Sequence, residues 1–150
     1  MIDLLSVIAV CGSGITAGVL FAVALSVLPA LFAMETHTYI YAHKLLGRNW
    51  DPLMPAIVLG TTAVDVALGL ARSGAAQGLS FAAAVTLLGV SAVSHLCNVP
   101  INRRVKAVAD PDLLPPDWVD PRPLWRRWHL LRTWLALVAL VLGSSACALH

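Results

Sequence analysis

The sequence predicts an all-α, integral membrane four-helix bundle, and three observations predict it. Hydrophobic residues make up 59% of the 150 and charged residues 12%, with a mean hydropathy of +0.81. Soluble domains carry about 25% charged residues, and a small globule must still cover itself with polar groups. Four apolar stretches approach the roughly 20 residues that cross a bilayer. The basic residues gather between those stretches.

The chain reads as one transmembrane domain, 1–150. The first span runs over 4–33. It lacks a basic n-region and is too long for a cleaved signal, so it reads as a retained helix. Pro29 predicts a kink, with helix continuing over Tyr39 to Leu46. The second span covers 55–71, with Pro52 as an alternative first-turn proline. The third covers 79–99 and the fourth 128–149. The connection 102–126 is the one long loop, a length often tied to function.

Basic residues set the expected orientation. Lys44 and Arg48 lie between spans one and two. Arg103, Arg104, Lys106, Arg122, Arg126 and Arg127 lie between spans three and four, and only Arg72 falls opposite. The positive-inside rule then puts both termini outside and both basic connections in the cytoplasm, in a cytoplasmic membrane. Trp50, Trp118, Trp125 and Trp128 fit an aromatic belt at the cytoplasmic boundary.

A net charge of +2, with basic residues at span ends, argues against a nucleic-acid partner. Cys11, Cys97 and Cys147 are isolated, so neither a redox pair nor a zinc knuckle is indicated. His150 ends the chain and carries no assigned role. Gly14, Gly18, Ala22 and Ser26 form a small-residue stripe. Such a stripe lets a helix approach closely, within the bundle or from a second copy in a homo-oligomer.

Ionisable side chains inside lipid are costly and mark function. Glu35, His37, His95, Asn98, Asn102, His129 and Arg132 share one depth zone near the cytoplasmic leaflet. Ser91, His95, Asn98 and Asn102 follow i, i+4, i+7, i+11 spacing, one face of a regular helix. Trp125, His129, Arg132 and Thr133 form a matching face on span four. Two polar faces at one level imply a pocket between helices. Asp65 lies about 15 Å into span two from Pro55, near the midplane. Bland readings stand beside these. His37 and His43 also read as interfacial residues reaching water, and Glu35 as a surface partner of Lys44 or Arg48.

Two stretches carry a family likeness. Asn98-Val-Pro-Ile-Asn102, with Trp128-His-Leu-Leu-Arg132-Thr133, resembles the N-V-P-[LI]-N and W-x-x-x-R-T elements of the anthrone-oxygenase-like family of four-helix membrane proteins. Gly14-Ile-Thr-Ala-Gly18-Val-Leu-Phe21, leading to Leu28-Pro29-Ala30-Leu31, is similar to that family's first span. The resemblance implies oxidation of aromatic polyketide anthrones by some members and points to Asn98, Asn102, Trp128 and Arg132. The family commonly has Asn-His after the tryptophan, where this chain has His129 and Leu130.

The expectation is a membrane-embedded oxygenase that oxidises a small lipophilic metabolite of a natural-product pathway with O2, among membrane lipid. Imidazoles with carboxylates suit iron or copper. Glu35, His37, Asp65, His95 and His129 are the expected metal ligands. Asn98, Asn102 and Arg132 are the expected catalytic residues, holding substrate or orienting ligands. The alternatives are a metal-free anthrone-type oxygenase, in which histidine deprotonates the substrate, and a non-enzymatic transporter or assembly subunit.

Overall fold

The computed structural model describes residues 1–111 and 113–149, without the side chains of Asn49, Asp51 and Pro52. His150 and the side chain of Pro52 therefore lie outside the described residues. The described chain is helical except for its links. It forms α1 (Ile2–Ala33), α2 (Thr36–Ala71), α3 (Gly74–Ala107) and α4 (Arg122–Ala148). Each helix contains a segment long and apolar enough to cross a membrane. Consecutive helices pack side by side, and α1 closes the ring against α4. Leu4, Leu25, Leu70, Leu96, Trp134 and Val141 point outward, as a lipid-facing surface requires.

The elements are longer than the expected spans. The first helix does not continue beyond Pro29 to Leu46: α1 ends at Ala33, and Tyr39 to Leu46 belong to α2, which runs unbroken from Thr36 to Ala71. The Asn98–Asn102 segment does not close span three, because helix continues to Ala107. The fourth helix starts at Arg122, so the loop shrinks to residues 108–121.

Two prolines are accommodated in the same way. A π turn at Val23–Val27 ends two residues before Pro29, and another at Ser94–Asn98 ends two residues before Pro100. Proline lacks an N–H and its ring crowds the carbonyl four residues back. Widening the preceding turn relieves that conflict without ending the helix.

The link between α2 and α3 is short. Arg72 and Ser73 are extended, and Gly74 has φ +61°, a conformation that side chains with a Cβ resist. Close helix contact occurs at Gly12, where a Cβ would stand 2.0 Å from Thr61 Oγ1. The expected stripe is not used inside the bundle. Gly18, Ala22 and Ser26 are exposed, and a Cβ on Gly14 or Gly18 would meet nothing within 4 Å. The buried face of α1 is instead Ala9, Ser13, Thr16, Ala17 and Leu20.

The interior has three layers. At the termini end lie Ser13, Thr16, Thr61, Thr62, Asp65, Arg72 and Ser80, all buried. An apolar collar of Ala17, Leu20, Val90 and Ala136, with Val58, Leu87 and Ala139, fills the middle. At the loop end Leu28, Leu31, Tyr39, Ile40, Ile101, Val105, Val108 and Trp125 enclose a second polar group.

Candidate functional site

The loop end gathers aromatic and imidazole rings into one row. Tyr39 and His43 stand four residues apart on α2, so they share a face. Trp125 and His129 have the same spacing on α4. The ring centroids run Tyr39–His43 5.5 Å, His43–Trp125 5.5 Å and Trp125–His129 5.3 Å, the last pair stacked at 28°. All four are buried, Tyr39 and His129 completely.

Hydrogen bonds fix both imidazoles. His129 Nε2 donates to the Leu20 carbonyl at 3.0 Å, just ahead of the α1 π turn. Its Nδ1 accepts from Arg132, at 3.2 Å from Nε and 2.8 Å from a terminal nitrogen. Arg132 also reaches Ser94 Oγ at 3.3 Å, in the α3 π turn. His43 Nε2 donates to Asn102 Oδ1 at 3.1 Å. In that tautomer the ring's lone pair lies on Nδ1.

Three buried polar atoms here have no hydrogen-bond partner among the described residues: Tyr39 Oη, Trp125 Nε1 and Asn98 Oδ1. Asn98 is fully buried, and its Nδ2 donates to the Trp125 carbonyl at 3.4 Å. The row thus offers two donors and one acceptor, each costly to bury unpaired.

Arg122 closes the row at its Tyr39 end. It donates to the Leu31 carbonyl at 3.0 Å and the Met34 carbonyl at 2.7 Å, and pairs with Asp120 at 2.7 Å. Its guanidinium lies 4.9 Å from the Tyr39 ring centroid. Burial raises the Tyr39 phenol above its ordinary value, Asp120 adds to the rise, and Arg122 opposes it. Burial pushes the Asp120 carboxyl up, but the hydrogen bonds and charge of Arg122 outweigh it and leave the group below the usual range. Lys44 donates to the Val108 carbonyl and ties the far end of α3 to α2.

The five expected metal ligands do not converge. Glu35 lies in the α1–α2 link and His37 in the first turn of α2, where their largely exposed side chains face each other at 3.7 Å. His95 is exposed, and its Nδ1 lies 2.9 Å from the Ser91 carbonyl. Asp65 is buried in the termini-end layer, six residues short of the end of α2. Of the five, only His129 belongs to the row. Among the described residues no three His, Cys, Asp or Glu side chains form a group that would hold a metal ion.

The separation of His95 from Asn98 has a physical cause. An extra residue in the Ser94–Asn98 turn rotates the helix beyond it by roughly a quarter turn. Asn98 therefore faces inward, while His95 faces out.

The expected catalytic residues Asn98, Asn102 and Arg132 do meet the row, each through a named hydrogen bond. His43 and Tyr39 carry much of it, although sequence reasoning set His43 at the interface. Their i, i+4 spacing, matched by Trp125 and His129, was the available signal. Trp125 leaves the expected belt for the core, whereas Trp50 is exposed. Trp118 and Trp128 are half-buried against the same cluster.

The anthrone oxygenase family model matches residues 38–142, which include the whole row and its asparagines. No curated protein and no solved structure matches the chain.

Proposed function

The chain belongs to the anthrone oxygenase family, and from that premise we propose that it is a membrane oxygenase acting on a small lipophilic metabolite with an acidic, electron-rich methylene. The chemistry is assigned to the loop-end row. The observation that carries this reading is the set of unpartnered buried atoms on Tyr39, Trp125 and Asn98 around an imidazole oriented by Asn102.

In this reading His43 is the base. Its Nδ1 takes a proton from the methylene, leaving a carbanion delocalised over the substrate rings. The carbanion reduces O2 and bonds to it, forming a peroxide anion. His43 returns its proton to give the hydroperoxide. Loss of water then leaves a carbonyl, so one methylene and one O2 become one ketone and one H2O. Tyr39 Oη and Trp125 Nε1 supply donors for the oxygen of an enolate-like intermediate, where such donors contribute most. Asn102 is a positioning residue that sets the His43 tautomer. Arg132 holds His129 neutral and stacked on Trp125.

Iron or copper has no convergent ligand set among the described residues, so no step runs through one. The test is oxygen uptake and ketone formation on adding an anthrone to membranes that contain the protein, with elemental analysis of the purified protein beside it. The reading expects turnover that survives chelation and is lost in His43→Ala. Full turnover in His43→Ala, or no turnover of any such methylene, overturns it.

A further inference from the structure

The termini end holds a second ionisable centre that the proposed oxygenation does not use. Asp65 is 1% exposed, and its Oδ2 has no hydrogen-bond partner among the described residues. Arg72 comes seven residues later, so the two share a face of α2. Arg72 is buried, folded into the bundle rather than out to water. It donates to Ser80 Oγ at 3.0 Å and Ser6 Oγ at 2.6 Å, lies 3.9 Å from Cys147 Sγ, and leaves its own Nε unpartnered. One arginine thereby ties α1, α3 and α4 to the end of α2.

The arrangement is informative for what Arg72 does not bond. Asp65 shares its helix face, yet the two terminal nitrogens of Arg72 rest on neutral hydroxyls. Opposite charges in low dielectric attract strongly, and leaving them apart is costly. A guanidinium resting on serines fits a carboxyl that carries a proton. The surroundings permit exchange of that proton in one direction. Arg72 borders exposed Ser73 and Gly74, so water lies one residue away. Toward the loop end the collar of Leu20, Val58, Leu87 and Val90 separates Asp65 from His129. Among the described residues the other titratable groups at this end are the Met1 amino group, exposed Asp3 and exposed Cys11 on the α1 side, and Cys147 on α4. On α3 the group that accepts from Arg72 is the Ser80 hydroxyl.

We propose that Asp65 is a proton-exchanging carboxyl served from the termini end of the bundle, with Arg72 as its movable counter-charge. When the proton leaves to water on that side, Arg72 releases Ser6 and Ser80 and pairs with the carboxylate. When the proton returns, Arg72 goes back to the hydroxyls. No other bond forms or breaks. This site stands apart from the oxygenase reading and survives its failure.

Dicyclohexylcarbodiimide tests it, because this lipophilic reagent adds to protonated carboxyls within membranes. The full chain is placed in liposomes, with a tag at the C-terminus reporting orientation, and adducts are located by peptide mass. The adduct is expected on Asp65 and absent from Asp65→Asn. Its yield is expected to fall roughly ten-fold or more as pH on the termini side rises from about 5 to about 9, and to ignore pH on the loop side. Arg72→Gln is expected to move that fall to higher pH, because the carboxylate loses its counter-charge. No adduct on Asp65 in folded protein at any pH overturns the proposal. So does a yield that tracks loop-side pH.

Discussion

The two ends of this bundle differ in how they satisfy most of their buried polar groups. At the termini end hydroxyls bond back to their own helices: Thr16 to the Gly12 carbonyl, Thr61 to Ile57, Thr62 to Val58 and Ser80 to Ala76. Such bonds need no irregular backbone, and bridging between helices falls to Arg72 and to Gln77, which donates to the Gly69 carbonyl. At the loop end the bonds cross between helices and meet distorted backbone. His129 takes a carbonyl beside one π turn, and Arg132 takes a serine inside the other. The contrast teaches where a site can be built. Cross-helix bonds orient rings with definite faces and leave donors and acceptors for a ligand, whereas back-bonded hydroxyls are already satisfied.

The sharpest test of that contrast is catalytic. His43→Ala is expected to lower kcat by about 10²- to 10⁴-fold, the usual worth of a positioned base. Asn102→Ala is expected to lower it less and to shift the pH profile, because it acts only through the imidazole. Asp65→Asn, at the other end, is expected to leave turnover nearly unchanged. Oxygen uptake on the three variants, with helicity checked by circular dichroism, decides this. Equal losses in Asp65→Asn and His43→Ala would erase the distinction between the ends.

Arg122→Gln comes next in size and acts on stability. The side chain satisfies two backbone carbonyls, one in the last turn of α1 and one in the α1–α2 link, and its guanidinium covers Tyr39. Removing it strands acceptors that cost about 1–3 kcal/mol each, so a loss of about 3 kcal/mol is expected in a detergent unfolding titration. A loss under about 0.5 kcal/mol, the range of surface substitutions, would show that the latch is ornamental.

Glycine substitutions sharpen the comparison along α1. Gly12→Ala drives a Cβ into Thr61, and overpacking of this kind costs about 1–3 kcal/mol. Thr61→Ala is expected to rescue it. Gly14→Ala and Gly18→Ala meet open space in the bundle, so they are expected to be neutral or to stabilise the helix by up to about 1 kcal/mol. Destabilisation by the latter pair would place a second copy of the chain against that face, read directly from the oligomeric state.

The helices were legible because composition and apolar length decide membrane spans almost alone. The site was legible only in part. Asn98, Asn102, His129 and Arg132 are polar where lipid is expected, so they stood out. His43 did not, because the second span was counted from Pro55, whereas α2 begins at Thr36. Asp65 was placed near the midplane by counting inward from Pro55 alone. Six residues from the end of α2 is about 9 Å, which is inside the other layer. His95 was misplaced by the π turn, which no spacing rule for a regular helix anticipates. The error in each case is one of phase or origin along a correctly identified helix.

The smallest expected effect concerns pH and belongs to the loop end. Tyr39 has its phenol raised by burial. The group contributes stability that is fully present below its unfolded value, about 10, and lost as pH rises through the folded value. Asp120 has its carboxyl lowered by Arg122. It contributes stability that is present above its unfolded value, about 4, and lost as pH falls through the folded one. Its side chain is 41% exposed, so solvent screens the pair and the acid loss is the smaller of the two. The latch is therefore expected to loosen at both extremes and to hold between them. Fluorescence of the half-buried Trp118 and Trp128, monitored from neutral to alkaline pH, checks the larger loss. Tyr39→Phe keeps the ring under Arg122 and has no proton to lose, so it is expected to flatten the alkaline limb and leave the acid one in place. An unchanged alkaline limb in that variant would assign the loss to another group.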